Sequence, residues 1–204
     1  MGCSFEPMAL SAEEAVLTRS ETHCCLAQLP SDSLHTAVCK FAAADEITPG
    51  QLTRAIEMIS DQVQQRREMS ELLADVPRGA LLAFLILIGK GKPRDKAEML
   101  FELGTDAMST DELGPGQAEA LADDLISAST EVGLKLGSGE EVTRYGKQLA
   151  RLKAVAVERL AAKMLAGRDA LELEQFVRSF GSQKQLLTLS GLRLFVLSCG
   201  EKTK

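Results

Sequence analysis

Four times in this 204-residue chain a helical pattern stops at a short polar stretch holding one aliphatic residue, and five positions later a large apolar side chain can open the next helix. The four pairs are Ile47 to Leu52, Val76 to Leu81, Met108 to Leu113 and Leu171 to Phe176. The residue just before the second member is Gln51, Glu112 or Gln175 in three of them and Ala80 in the other. A helix-loop-helix unit cannot bury its apolar stripe alone, so its repetition commits the chain to stacking one unit on the next. The absence of Trp, a single Tyr and only six Pro favour helices over sheets. The expected class is all-α, as four helix-loop-helix units.

The breaks divide the chain. Residues 1–32 form a polar lead with a short helix around Ala12 to Arg19, where Ser11 offers a cap and Glu13 and Glu14 an acidic first turn. Ser31-Asp32-Ser33 caps a helix from Leu34 to Phe41, and Leu52, Ile56 and Ile59 carry the next one after a break at Ala42 to Gly50. A polar segment, Asp61 to Glu71, leads to a second break at Asp75 to Gly79. The apolar run Ala80 to Ile88 is about half of what a bilayer requires, so it reads as a buried helix ended by Gly89.

Gly89-Lys90-Gly91-Lys92 is the expected hinge, which makes residues 33–90 a first pair of units and 91–204 a second pair with a C-terminal helix. In the second half Pro93 starts a helix with Ala97, Leu100, Phe101 and Leu103 on one stripe. The third break, Gly104 to Asp111, precedes a helix through Leu121, Leu125 and Ile126, and a long helix covers Glu140 to Ala166. After the fourth break, Gly167 to Glu174, a last amphipathic stretch runs from Lys184 to Leu197.

A formal charge of −6 argues against a nucleic-acid binder, since phosphate neutralisation needs a clustered basic face. The densest basic run, Lys90, Lys92, Arg94 and Lys96, is short and interrupted by Asp95, so it reads as a solvated connector, with contact to an acidic lipid or partner as the alternative. Cys3, Cys24, Cys25, Cys39 and Cys199 include no C-x-x-C pair, and an odd count without a secretory signal suggests reduced, intracellular thiols. Cys24 and Cys25 have only His23 nearby, too few ligands for zinc. The start, Met1-Gly2-Cys3, is that of a chain acylated on Gly2 and Cys3, although Glu6 stands where Ser or Thr is usual.

At this point a resemblance enters. Residues 76–103 resemble the junction between the second and third units of EF-hand proteins, in the layout of the neuronal calcium sensor and calcineurin B type, whose members carry four units and are often acylated at the N-terminus. Residues 105–113 and 169–176 are similar to the second halves of such loops. The resemblance implies two lobes, each a pair of units, closed by Ile47 beside Val76 and Met108 beside Leu171 in short β-bridges.

It also implies calcium, and there the residues depart. A calcium loop needs about six oxygen ligands at alternating positions, a Gly at its turn and a closing bidentate Glu. Here the first loop offers Asp45, Glu46 and Gln51, the second Asp75 with Ala80 at its end, and the fourth Asp169, Glu172 and Gln175. Only the third keeps a closing carboxylate, so Asp106, Ser109 and Glu112 are the candidate ligands. No cofactor is expected, and calcium is the ion to test.

The expected function is that of a non-catalytic adaptor or regulatory subunit in the cytoplasm, with membrane association through an acylated N-terminus. Its partner is a protein whose amphipathic helix lies in an apolar groove. Phe84, Ile88, Met99, Phe101, Phe176 and Phe180 are the candidate groove residues, and the C-terminal stretch around Leu186, Leu192 and Phe195 is a second occupant, in cis. Two alternatives stay open, a working calcium sensor with unusual loops and an enzyme of unrecognised type. With only His23 and His35 and no recognisable nucleophile-base spacing, the sequence shows no catalytic arrangement.

Overall fold

The computed structural model describes residues 11–41, 47–59, 73, 76–106 and 111–201. These residues fold as an all-α protein. The helices are α1 (Ala12–His23), α2 (Ser31–Phe41), α3 (Pro49–Glu57), α4 (Arg78–Ile88), α5 (Pro93–Asp106), α6 (Pro115–Ser127), α7 (Glu140–Leu165), α8 (Leu173–Phe180) and α9 (Leu189–Glu201). Two-residue strands β1 (Glu112–Leu113) and β2 (Leu171–Glu172) lie between α5 and α6 and between α7 and α8. The polar segment expected from Asp61 to Glu71 lies outside the described residues.

Local chemistry sets the helix ends. Ser11 caps α1 by accepting the Glu14 N–H at 3.3 Å, and the helix runs one turn further than its pattern suggests, to His23. The second helix begins at Ser31, three residues before its first apolar position. α6 does not end in a coil but opens into a wider π turn, Ala128–Val132, and then a 3-10 turn, Gly133–Leu136. The C-terminal stretch is also two pieces, a 3-10 turn at Lys184–Leu187 and α9.

α4 is the centre of the molecule. It is apolar on every side, so it needs cover on every side, and Ala80 through Leu87 are all buried. Helices α2, α5 and α6 pack around it, which carries one continuous core through both halves. Its N-cap is Pro77, whose side chain offers no acceptor. Asp124 of α6 lies against the first turn instead, where a helix attracts negative charge. Gly79 leaves the room, since a Cβ there would collide with the Asp124 carboxylate.

The expected hinge is tied down. Lys90 pairs with Pro30 in a parallel bridge, its N–H donating to the Leu29 carbonyl and its carbonyl accepting from the Ser31 N–H, both at 2.8 Å. Lys96 is buried and donates to the Leu87 carbonyl at 2.6 Å, closing the end of α4. Arg94 bonds Glu98 and Glu174, each at 2.8 Å. Of the basic run Lys90, Lys92 and Arg94 are exposed, Arg94 within its ion pairs, and Lys96 is buried.

The strands correct the repeat. Leu171 pairs with Leu113, and Glu172 with Glu112, in antiparallel register. The residue expected beside Leu171 was Met108, which lies outside the described residues. The aliphatic position of the third unit is therefore five residues further on, and the residue five positions after it is Ala118, fully buried. Ile47, Val76, Leu113 and Leu171 are all buried and each directly precedes the N-cap of a helix.

Candidate functional site

The corrected repeat decides what closes each loop. Counting four residues on from the aliphatic position gives Gln51, Ala80, Gln117 and Gln175, at the third position of α3, α4, α6 and α8. None is a carboxylate. The three glutamine amides turn back on their own helices: Gln51 Oε1 accepts the Thr48 N–H at 2.9 Å, Gln117 Oε1 the Gly114 N–H at 2.7 Å and Gln175 Oε1 the Glu172 N–H at 3.4 Å. Thr48 returns the bond, its Oγ1 accepting the Gln51 N–H at 3.3 Å, which completes a capping box. The loop-closing oxygens satisfy helix ends.

Of the three candidate ion ligands, Ser109 lies outside the described residues, and so does the side chain of Asp106. Glu112 precedes the buried Leu113, points outward from β1 and faces Glu172 across the strand pair. With Asp111, Gly114, Gln117 and Ala170 it lines a shallow depression of about 420 Å³. Among the described residues no group of three or more His, Cys, Asp or Glu side chains is placed to hold a metal ion. His23 Nδ1 is engaged 2.7 Å from the Arg19 carbonyl and Cys24 is buried.

The candidate groove residues sit in the core. Phe84, Phe176 and Phe180 have no exposed surface, Met99 and Phe101 almost none, and Ile88 is half-buried. Phe101 and Phe176 meet in a tilted contact at a centroid distance of 5.6 Å, and Phe176 and Phe180 stack at 5.1 Å. What covers this half is the chain itself. The turn Lys184–Leu187 buries Leu186 and Leu187 against α5, and α9 lays Leu189, Leu192, Val196 and Cys199 onto α7.

A charged cluster fixes that cover. Arg193 of α9, with no exposed surface, forks onto Glu14 of α1: Nη2 donates to Oε1 at 2.7 Å and Nε to Oε2 at 2.9 Å. Its Nη1 donates to Glu21 Oε1 at 2.6 Å and to the Ser129 carbonyl at 3.2 Å, inside the π turn. Tyr145 of α7 donates its hydroxyl to Glu14 Oε2 at 2.8 Å. Gly133 leaves space for the guanidinium, since a Cβ there would stand 3.0 Å from Nη1. Four elements meet on one arginine.

The two carboxylates respond oppositely to burial. For Glu14 burial pushes the carboxyl up, but the hydrogen bonds and charge of Arg193, with Ser190 and Tyr145, together outweigh it and hold it below the usual range. For Glu21 burial wins and the carboxyl is raised, with Arg193 offsetting only part. Burial, then the charge of Glu14, also pushes the Tyr145 phenol up. Glu14 is the arginine's anion, and Glu21 gives up a proton less readily.

Sequence reasoning missed this cluster. The buried face of α1 is Glu14, Leu17 and Glu21, a helical stripe whose two ends are acidic and so look solvent-facing. The available signal was Arg193, a lone cation inside the apolar run from Leu192 to Leu197. Reading one turn along α2 would also have found His35 and Cys39, whose Nε2 and Sγ lie 3.7 Å apart.

The acylation candidates, Gly2 and Cys3, lie outside the described residues. No described helix is long and apolar enough to cross a membrane. No family model, no curated protein and no solved structure matches this chain.

Proposed function

We propose that the chain is a non-catalytic adaptor or regulatory subunit of EF-hand-like design that holds one conformation without calcium and keeps its own C-terminal helix in the apolar interior of its second half. The observation that carries this is the use of Gln51, Gln117 and Gln175 as helix caps at the positions where a calcium loop needs a bidentate carboxylate. An amide oxygen bonded to its own N-cap brings no charge to an ion. The cover supports it too, because a partner helix meets α9 already in place and held by Arg193.

A partner helix then finds its free apolar surface in the first half, where Met58 at the end of α3 is 57% exposed and Phe41 and Ile59 are half-buried. The test is a pair of measurements on the whole chain. Calorimetric titration with calcium is expected to be flat to millimolar ion, and partner capture to be the same with and without chelator. Saturable heat at micromolar calcium would overturn the adaptor in favour of a sensor.

A further inference from the structure

The first turns of α7 run beside the π turn and the 3-10 turn that precede it, and the two walls leave an open trough of about 450 Å³. On the helix side its floor is Val142, Gly146 and Ala150, a row at four-residue spacing along one stripe of α7. These residues are small. At Gly146 a Cβ would stand 2.9 Å from Cδ1 of Leu134, so the missing side chain lets the opposite wall lie in close. The trough continues past Thr143 and Lys147 into a second depression of about 630 Å³ along Gly139, Glu140 and Arg144. Neither is closed over, so the shape suits a chain laid across it better than an enclosed small molecule.

The rim of the trough carries charge. Arg144, Lys147 and Arg151 stand three and four residues apart on one exposed face of α7, and none of them makes an ion pair with a described residue. Lys135 lies on the opposite wall, where Glu131 is already engaged by Lys153 at 2.8 Å. From Lys135 to Lys153 the sequence holds five cations and two carboxylates, in a chain whose net charge is −6. Over this stretch the sign of the molecule reverses.

We propose that this trough docks an acidic peptide segment of a partner protein, with one aliphatic side chain seated over Gly146 and carboxylates on Arg144, Lys147 and Arg151. The small apolar floor gives an aliphatic anchor a place out of water, and a row of cations one helical turn apart orients a chain of opposite charge. From Arg144 to Arg151 the row is about 10 Å long, the reach of roughly three extended residues. An anionic membrane fits less well. A broad sheet of phosphate would also press on Glu140 and Glu141, both exposed at the same end of α7, whereas a narrow chain passes beside them. This surface is separate from the patch around Met58 and does not rest on the calcium-free reading.

The experiment is fluorescence anisotropy on the full chain with the labelled peptide Glu-Glu-Leu-Glu-Glu-Leu-Glu-Glu, and with the same peptide carrying Gln at every Glu. Saturable binding is expected for the acidic peptide alone, and it should weaken about tenfold or more between about 50 and 500 mM salt. Lys147→Glu, and Ala150→Glu, which places a carboxylate in the trough, should each lower the affinity about tenfold. Lys163→Glu makes the same charge change at the far end of α7 and should alter it less than about twofold. All three positions are exposed, so the helix keeps its packing. The proposal is overturned by the absence of saturation, by equal binding of the Gln peptide, or by equal losses in Lys147→Glu and Lys163→Glu, which would mean net charge alone. Vesicles of phosphatidylserine and phosphatidylcholine supply the remaining arm: binding to them that is lost in Lys147→Glu, with peptide binding unchanged, would assign the face to lipid instead.

Discussion

The molecule holds carboxylate pairs in two settings, and it treats them in opposite ways. At the loop end Glu112 and Glu172 face each other across a two-residue strand pair, both exposed to water. At the terminal end Glu14 and Glu21 are out of water and share Arg193. A solvated like-charge pair costs little because water screens it, whereas a buried carboxylate is tolerable only with a partner. Acid content therefore says little about where charge matters. The loops, where the family resemblance looks for chemistry, are held by neutral caps, and the consequential charges join the two ends of the described chain.

The largest way to break this contrast is Arg193→Met, which keeps the length of the side chain and strands two buried carboxylates. It is expected to cost about 3–5 kcal/mol at pH 7 in urea unfolding. The cost shrinks as the pH falls and the carboxyls take up protons. A loss under about 1 kcal/mol would mean that water reaches the cluster.

Next in size is the difference between Glu14→Gln and Glu21→Gln. Glu14 is held below its ordinary value, so its contribution is present above the unfolded carboxylate range, near about 4.3, and is lost as pH falls through the lower folded value. Glu21 is raised, so its sign reverses: stability is fullest below the unfolded value and declines as pH climbs through the folded one. At pH 7 Glu14→Gln should be clearly destabilising and Glu21→Gln close to neutral. Equal effects in a pair of pH-stability curves would dissolve the distinction between the two carboxylates.

Smaller again are the caps. Thr48→Ala, which removes half of a reciprocal box, should cost about 1 kcal/mol, and Gln117→Ala about the same or less. If either variant instead changed a calcium response, the assignment of these residues to helix ends would fail. Smallest is Glu172→Lys, which turns a like-charge pair into an opposite one and should gain about 0.5 kcal/mol or less. A thermal melt resolves its sign at low salt, and the gain should fade at high salt.

The sequence made some of this legible and hid the rest for definite reasons. α4 could be read because a helix apolar on all sides leaves an unbroken run, and α7 because one stripe persists over seven turns. The third unit slipped by five residues because Ala118 is small. A pattern of large apolar residues does not register it, and Leu113 reads as a helix opener although it is the strand residue. The hinge failed for another reason. Its glycines suggest freedom, but the bonds that hold Lys90 come from Leu29 and Ser31, about 60 positions earlier in the chain. Contacts at that separation leave no periodic trace.

Glu14 and Arg193 are 179 residues apart. A ribosome adding about 5–20 residues per second takes roughly 10–35 seconds to travel between them. Over that interval α1 has its acidic stripe and no cation to bury it against, so it docks among the last elements and can be met, undocked, by anything that binds a nascent helix.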